Sequence, residues 1–276
     1  MTEIQLIAIY CFCDDFLKSR GHRDWPNVKM TLAEIMFVYI VATRFFYGNM
    51  ESAYRTLKEG KYIKRPIVKS QLNERLHAVD PKVWHELIRF AYEKAQEIRP
   101  YWRFVVPGIT ISVLRNIRIS RCRIYQGEEF RGYNVSKKEY FYGLKVNMVA
   151  NSQGQPFEVI LSPGKYHDSD PFKLMNLDLP EHSSLYGDSA YTDYAYEDRL
   201  IAKNIKVIIE RKANSCRHHF FEDWKYLKFY RKTIETTFSR ITSFLPRKIH
   251  AVTDAGFELK VMGFIIALSL NFVINQ

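Results

Sequence analysis

Apolar residues recur at helical spacing through roughly the first hundred positions, and beyond them the pattern shortens to strand-length runs. Ile4, Ile7, Tyr10 and Cys11, followed by Phe16, mark one face of a first helix. Thr31 followed by Glu34 is a capping box that opens a second helix, Leu32 to about Phe46. A third runs from Met50 to about Leu57. Ser70 followed by Glu74 begins a shorter segment, SQLNERLHAV, and Asp80-Pro81 opens another that runs to about Ile98. Several short helices with a basic turn between them, Lys58 to Lys69, resemble a DNA-binding helical module.

Arg99-Pro100 marks a boundary, after which the period changes. RFVV at 103–106 is a short run containing β-branched residues. KEYFYGLKVNMVA at 138–150 and QPFEVILS at 155–162 read as a β-hairpin turning at Asn151-Ser152-Gln153-Gly154. Asp170-Pro171 opens a short helix, and SSLYG at 183–187 is a strand ending at Asp188. A helix over 193–203, a strand KVIIE at 206–210 and a helix from Tyr226 to Phe244 follow, and Pro246 stops the last of these. The apolar run Val261–Ile274 is too short to span a bilayer and reads as a buried C-terminal helix. Three antiparallel strands followed by strands alternating with helices predict a mixed α/β sheet. The ribonuclease H-like fold has this order, as do other mixed sheets. The expected organisation is therefore an all-helical region, 1–98, ahead of an α/β domain with flanking helices, 99–276.

Charge adds a partner class. The 276 residues carry a net charge of +11, which favours polyanions. The excess is concentrated. Lys203 to Lys248 holds 12 basic and 4 acidic residues, and Arg115 to Lys145 holds 8 basic and 3 acidic, while the remainder is slightly acidic. The four cysteines, Cys11, Cys13, Cys122 and Cys216, include no CxxC pair, and a metal role for Cys216 with His218 and His219 is a weak signal. Reduced thiols in a cytosolic protein are the simpler reading. The start of the chain has no basic region of the secretory type.

Metal-assisted phosphodiester chemistry needs carboxylates converging on divalent ions about 3.5–4 Å apart, and hard oxygen ligands suit Mg²⁺ or Mn²⁺. Asp188 leaves the sheet at the carboxyl end of an apolar strand, where open sheets place ligands; a helix N-cap is the alternative. Glu235 lies in FYRKTIETTFSRI among Arg231, Lys232 and Arg240, beside the edge marked by Ile234, Phe238 and Ile241. A surface ion pair with Arg231 is its alternative. Asp168 and Asp170 in GKYHDSDPF read as helix-capping acids. Phosphate contacts fall to Arg118, Arg121 and Arg123, and to Lys225, Lys228, Arg231, Lys232 and Arg240. Gln71, Asn73 and Arg75 are suitable base-edge readers, or simply a solvated helix face.

The strings NIRISRCRIYQGEEFRGYNVSKKEYFYGLKVNMVA, LYGDSAYTDY and YRKTIETTFSRITSFLPRKIHAVTDAGFELK resemble the DDE transposases of bacterial insertion sequences. The resemblance covers nearly the whole chain. It implies a ribonuclease H-like domain preceded by a DNA-end-binding region, three metal-binding acids, Mg²⁺ or Mn²⁺ as cofactor, double-stranded DNA as partner, a homodimer on paired ends, and a nucleoid-associated place in the bacterial cytoplasm. The family's second acid corresponds to Asp188 and its third, in an RxxxE helix, to Glu235. Its first acid ends the first strand in a run like FVVDS. Here the run is FVVPGITISVLRNIRI, with Pro107 at the acid's position. The resemblance thus implies an impaired transposase. A catalytically silent DNA-binding relative is the second reading, and a structure-specific nuclease on the same fold the third.

Overall fold

The computed structural model describes the chain except residues 99, 101, 107, 116–122, 135–137, 168, 176, 219–220, 247–248 and 275–276. It divides into two compact units, Met1–Ala95 with Leu245–Gln276, and Gln96–Phe244. The last helix thus joins the N-terminal helices, whereas the sequence pattern grouped it with the sheet.

In the first unit, helices α1 (Glu3–Ser19), α2 (Leu32–Phe45), α3 (Met50–Glu59), α4 (Lys69–His77) and α5 (Pro81–Ile98) are joined by α9 (Asp254–Ile274). α2 is buried from Ala33 to Thr43, and α1, α3, α4 and α9 pack around it. Its start is the expected capping box: the Glu34 backbone N–H donates to Thr31 Oγ1 at 3.2 Å and the Thr31 N–H to Glu34 Oε2 at 2.7 Å. α5 begins as predicted, the Lys82 N–H donating to Asp80 Oδ1 at 2.8 Å. α1 departs from expectation. It buries Leu6, Ile9, Phe12, Cys13, Phe16 and Leu17, while Ile4 and Ile7 are 79% and 53% exposed. Two apolar stripes compete on this helix, and the one that is buried carries Phe12 and Phe16, whose rings both pack on Phe90 of α5. α9 is longer than the apolar run suggested. By length and composition it could cross a bilayer, and 61% of its apolar window is buried.

In the second unit a mixed sheet is built around β4 (Glu139–Asn151). One edge of β4 takes β1 (Arg103–Val105) and β2 (Gly108–Arg115), both antiparallel. Phe104 pairs with Asn151 and Gly108 with Asn147, the same register, so β1 and β2 form one line along β4. The other edge takes β5 (Pro156–Pro163) and, near the start of β4, β3 (Arg131–Asn134). Outward from β1, β6 (Ser184–Gly187) and β7 (Lys206–Ile209) add in parallel. This is the ribonuclease H-like arrangement, a three-stranded antiparallel block extended by two parallel strands. Helices α6 (Ser169–Leu174) and α7 (Tyr194–Ile201) pack beside the sheet, and α8 (Phe221–Phe244) packs against β1, β2, β6 and β7. β2 and β3 were not expected as separate strands. Asp193 caps α7 through the Tyr196 N–H at 2.8 Å, and its carboxyl is held below the usual range by Lys173 and then by that N–H.

The capping box gives a direct test. Thr31→Ala removes one of its two bonds and is expected to lower stability to urea by about 1 kcal/mol, with an unchanged m-value.

Candidate active site and nucleic-acid cleft

β6 carries Asp188 to the rim of the sheet. Leu185, Tyr186 and Gly187 are buried between β1 and β7, and the Val106 N–H extends the ladder by donating to Tyr186 O at 3.0 Å. Asp188 follows at once and is exposed. It opens a 3₁₀ turn, Ser189–Tyr191, but makes no side-chain capping bond to it. The Ser189 hydroxyl donates to Asp188 Oδ1 at 3.1 Å. The capping alternative therefore does not consume this carboxylate.

α8 approaches the same rim. At its start Asp223 pairs with Lys206, the first residue of β7, at 2.5 Å. Two turns on, Tyr230 stacks on Tyr186 with ring centroids 4.2 Å apart and planes at 30°. Val105, Ala150, Tyr186, Ile208, Tyr230 and Leu227 form one apolar cluster. Burial pushes both phenols upward, and the Arg103 guanidinium, 5.6 Å from the Tyr230 ring, opposes this. The helix thus runs from the amino end of β7 toward the carboxyl ends of β1 and β6. Glu235 is exposed five residues past Tyr230, about 7.5 Å farther along the axis at 1.5 Å per residue. α8 thus heads toward the end of the sheet where Asp188 lies; among the described residues the cleft at that end is lined by Asp188 and by none of α8. Pro107 lies outside the described residues.

An open cleft of about 1240 Å³ lies at this rim, which the start of the antiparallel β4 also reaches. Arg131, Lys145, Lys165 and Lys212 line it together with Asp188, Glu128, His167 and several tyrosines. The segment after β7 that brings Lys212 is tied down on α7. Arg211 forms a bidentate pair with the buried Glu197, one bond at 2.8 Å. Arg217 pairs with Asp198 at 2.6 and 2.9 Å. Both guanidinium groups lie over the Tyr194 ring, at 5.3 and 4.7 Å, and the Tyr194 hydroxyl meets Ser215 Oγ at 2.7 Å.

The other candidates distribute unevenly. Arg123 is exposed, and Arg118 and Arg121 lie outside the described residues, as does Asp168. Lys225, Lys228 and Lys232 are exposed on α8; Arg231 and Arg240 are on the same helix, their side chains outside the described set. On α4, Gln71 and Asn73 are exposed. Arg75 is instead turned inward, its guanidinium donating to the Met30 carbonyl in the turn before α2. The residue type that suggested it as a base reader serves this structural contact equally well. Pattern reading missed Lys145, Lys165 and Lys212 as a group. Arg131 and Lys145 sit in one basic stretch and Lys212 in the other, so their charge was visible and their convergence was not.

Asp188 and Glu235 offer hard oxygen donors of the right kind for Mg²⁺. Among the described residues, however, no three His, Cys, Asp or Glu side chains group as a metal site. The donors among the described residues therefore do not make up a two-metal centre.

The family described as Transposase DDE domain matches residues 104–248, more than half of the chain. The chain belongs to this transposase family. Among solved structures, the piggyBac transposase synaptic complex with hairpin DNA is similar at 11% identity and a TM-score of 0.48. That match covers 100% of this chain and 66% of the piggyBac chain. No curated protein matches.

The anchored segment after β7 yields a prediction. Glu197→Gln leaves the Arg211 guanidinium without its counter-charge in a buried position and is expected to cost about 3 kcal/mol in chemical denaturation. Replacing the exposed Asp198 by Asn should cost well under half of that.

Proposed function

We propose that the chain is an insertion-sequence transposase of the DDE type that holds the ends of its element in the basic cleft and is catalytically impaired by Pro107. The observation that carries the reading is Asp188, an uncapped carboxylate at the sheet rim inside a cleft with four cationic side chains. Polyanion binding follows from that charge. In this reading Asp188 and Glu235 are the family's second and third acids. A proline at the first acid's position supplies no oxygen ligand. Arg123, Lys225, Lys228 and Lys232 extend the phosphate contacts, Gln71 and Asn73 on α4 contribute to reading the ends, and two copies act on paired ends at the bacterial nucleoid.

The second reading is a transposase-derived DNA-binding protein without catalysis. Pro107 favours it, and the two are separated by restoring the acid. Strand transfer by Pro107→Asp on duplexes carrying the element ends, in Mg²⁺ or Mn²⁺ buffer, is expected to exceed that of the native chain by about 10²–10³-fold, the scale of one lost transition-state-stabilising group. Adding Asp188→Asn to Pro107→Asp should abolish the gain. Robust transfer by the native chain would contradict the assignment of position 107, and no gain in Pro107→Asp would support the silent relative.

Binding has its own test. If the four cleft cations each neutralise one phosphate, log K falls against log salt with a slope of about −3.6 from this cleft alone. Lys165→Ala and Lys212→Ala should each reduce the slope by about 1. A salt-independent affinity would remove the basis for placing DNA here.

A further inference from the structure

The cleft carries a second kind of side chain. Three of its lining residues are tyrosines with unusually exposed rings: Tyr133, Tyr140 and Tyr166 are 47%, 49% and 50% exposed. Tyr133 and Tyr140 face each other directly across the β3–β4 ladder, with ring centroids 5.0 Å apart. The Arg131 guanidinium lies 4.6 Å from the centre of the Tyr140 ring. By the two-residue period of a strand, Arg131, Tyr133, Tyr140 and Tyr142 share one face of this hairpin. The opposite face holds Gly132 and the buried Phe141.

Tyr166 arrives from the turn after β5, and that turn is pressed against the hairpin. A Cβ at Gly132 would meet the Gly164 carbonyl at 2.6 Å, and one at Gly164 would meet the Phe130 carbonyl at 2.6 Å. The Gly164 N–H donates to Gly143 O and the Lys165 N–H to Glu129 O, each at 3.0 Å. Lys145 Nζ then donates to the Tyr166 carbonyl at 2.8 Å. Two glycines, two backbone bonds and a lysine thus hold Tyr166 and Lys165 beside the tyrosine pair.

A well-stacked duplex offers this surface little, because its base faces are already covered and only edges and phosphates are presented. Unpaired nucleotides expose a π-face for each ring, and aromatic platforms beside cations are how proteins bind single strands. Resting on the reading of the cleft as a DNA site, we infer that Tyr133, Tyr140 and Tyr166 stack unpaired bases of single-stranded DNA whose phosphates lie along Arg131, Lys145, Lys165 and Lys212. The cleft then takes about two or three unpaired nucleotides, on the scale of one per ring. It places them next to Asp188, where strands separated at an element end would lie.

The test is fluorescence anisotropy with the full chain, using labelled dT12, a blunt duplex of equal length and rU12. Tyr133→Ala, Tyr140→Ala and Tyr166→Ala are each expected to weaken dT12 binding by five-fold or more while changing duplex affinity less than two-fold. The triple Tyr→Phe variant, which keeps every ring, should bind dT12 like the native chain and serves as the control for folding. Alanine variants that bind dT12 normally, or that lose dT12 and duplex in equal measure, would overturn the inference and leave the DNA reading standing. A rU12 affinity ten-fold above that for dT12 would overturn the assignment to DNA. Loss of all binding in the native chain would overturn both. Ring-dependent dT12 binding without strand transfer in Pro107→Asp would leave this inference in place and remove the catalytic reading.

Discussion

The contact between α8 and the sheet is the constraint from which the site follows. Tyr230 and Leu227 settle onto Val105, Tyr186 and Ile208, and the Lys206–Asp223 pair fixes the direction of travel. Tyr186 and Tyr230 meet as a tilted pair with planes 30° apart, an aromatic contact worth about 0.5–1.5 kcal/mol beyond the area it buries. Because the helix is laid down in this sense, it continues past Tyr230 toward the end of the strand that releases Asp188.

The rim is furnished by elements that serve it in different ways. The β3–β4 hairpin brings Arg131 and a pair of exposed rings, the turn after β5 brings Lys165 and Tyr166, and the segment after β7 brings Lys212. That last segment is held to α7 by two bidentate arginine pairs sharing one tyrosine ring. Long cationic side chains lose considerable rotamer freedom when they bind phosphate. Anchoring the backbone that carries them confines that loss to the side chains themselves.

Much of the fold was legible because local signals matched the final structure. Thr31 and Glu34 form a box within one turn, Asp80-Pro81 starts α5, and the β4–β5 turn sits where Asn151 to Gly154 placed it. What failed was long-range. The stripe on α1 could be read two ways, and only its packing partners, Phe90 of α5 among them, decide between them. α9 reads as a generic buried helix, and nothing in its own residues says that it joins the N-terminal helices. At the candidate site, the position of Asp188 at a strand end was legible because it directly follows an apolar strand. The four cleft cations come from segments that are remote along the chain, and only the sheet brings them together. Arg75 shows the converse: a residue suited to base contact by type holds the Met30 carbonyl in the turn before α2.

The central claim is that α8 delivers position 235 to the rim occupied by position 188. The most direct measurement is intramolecular cross-linking of Asp188→Cys with Glu235→Cys by a short bismaleimide, with Cys11, Cys122 and Cys216 replaced by serine. Peptide mapping should show efficient 188–235 linkage in the monomeric product, and it should fall sharply when Tyr230→Ala removes the contact that seats the helix. Failure of the folded double-cysteine protein to link, or linkage indifferent to Tyr230, would contradict the account.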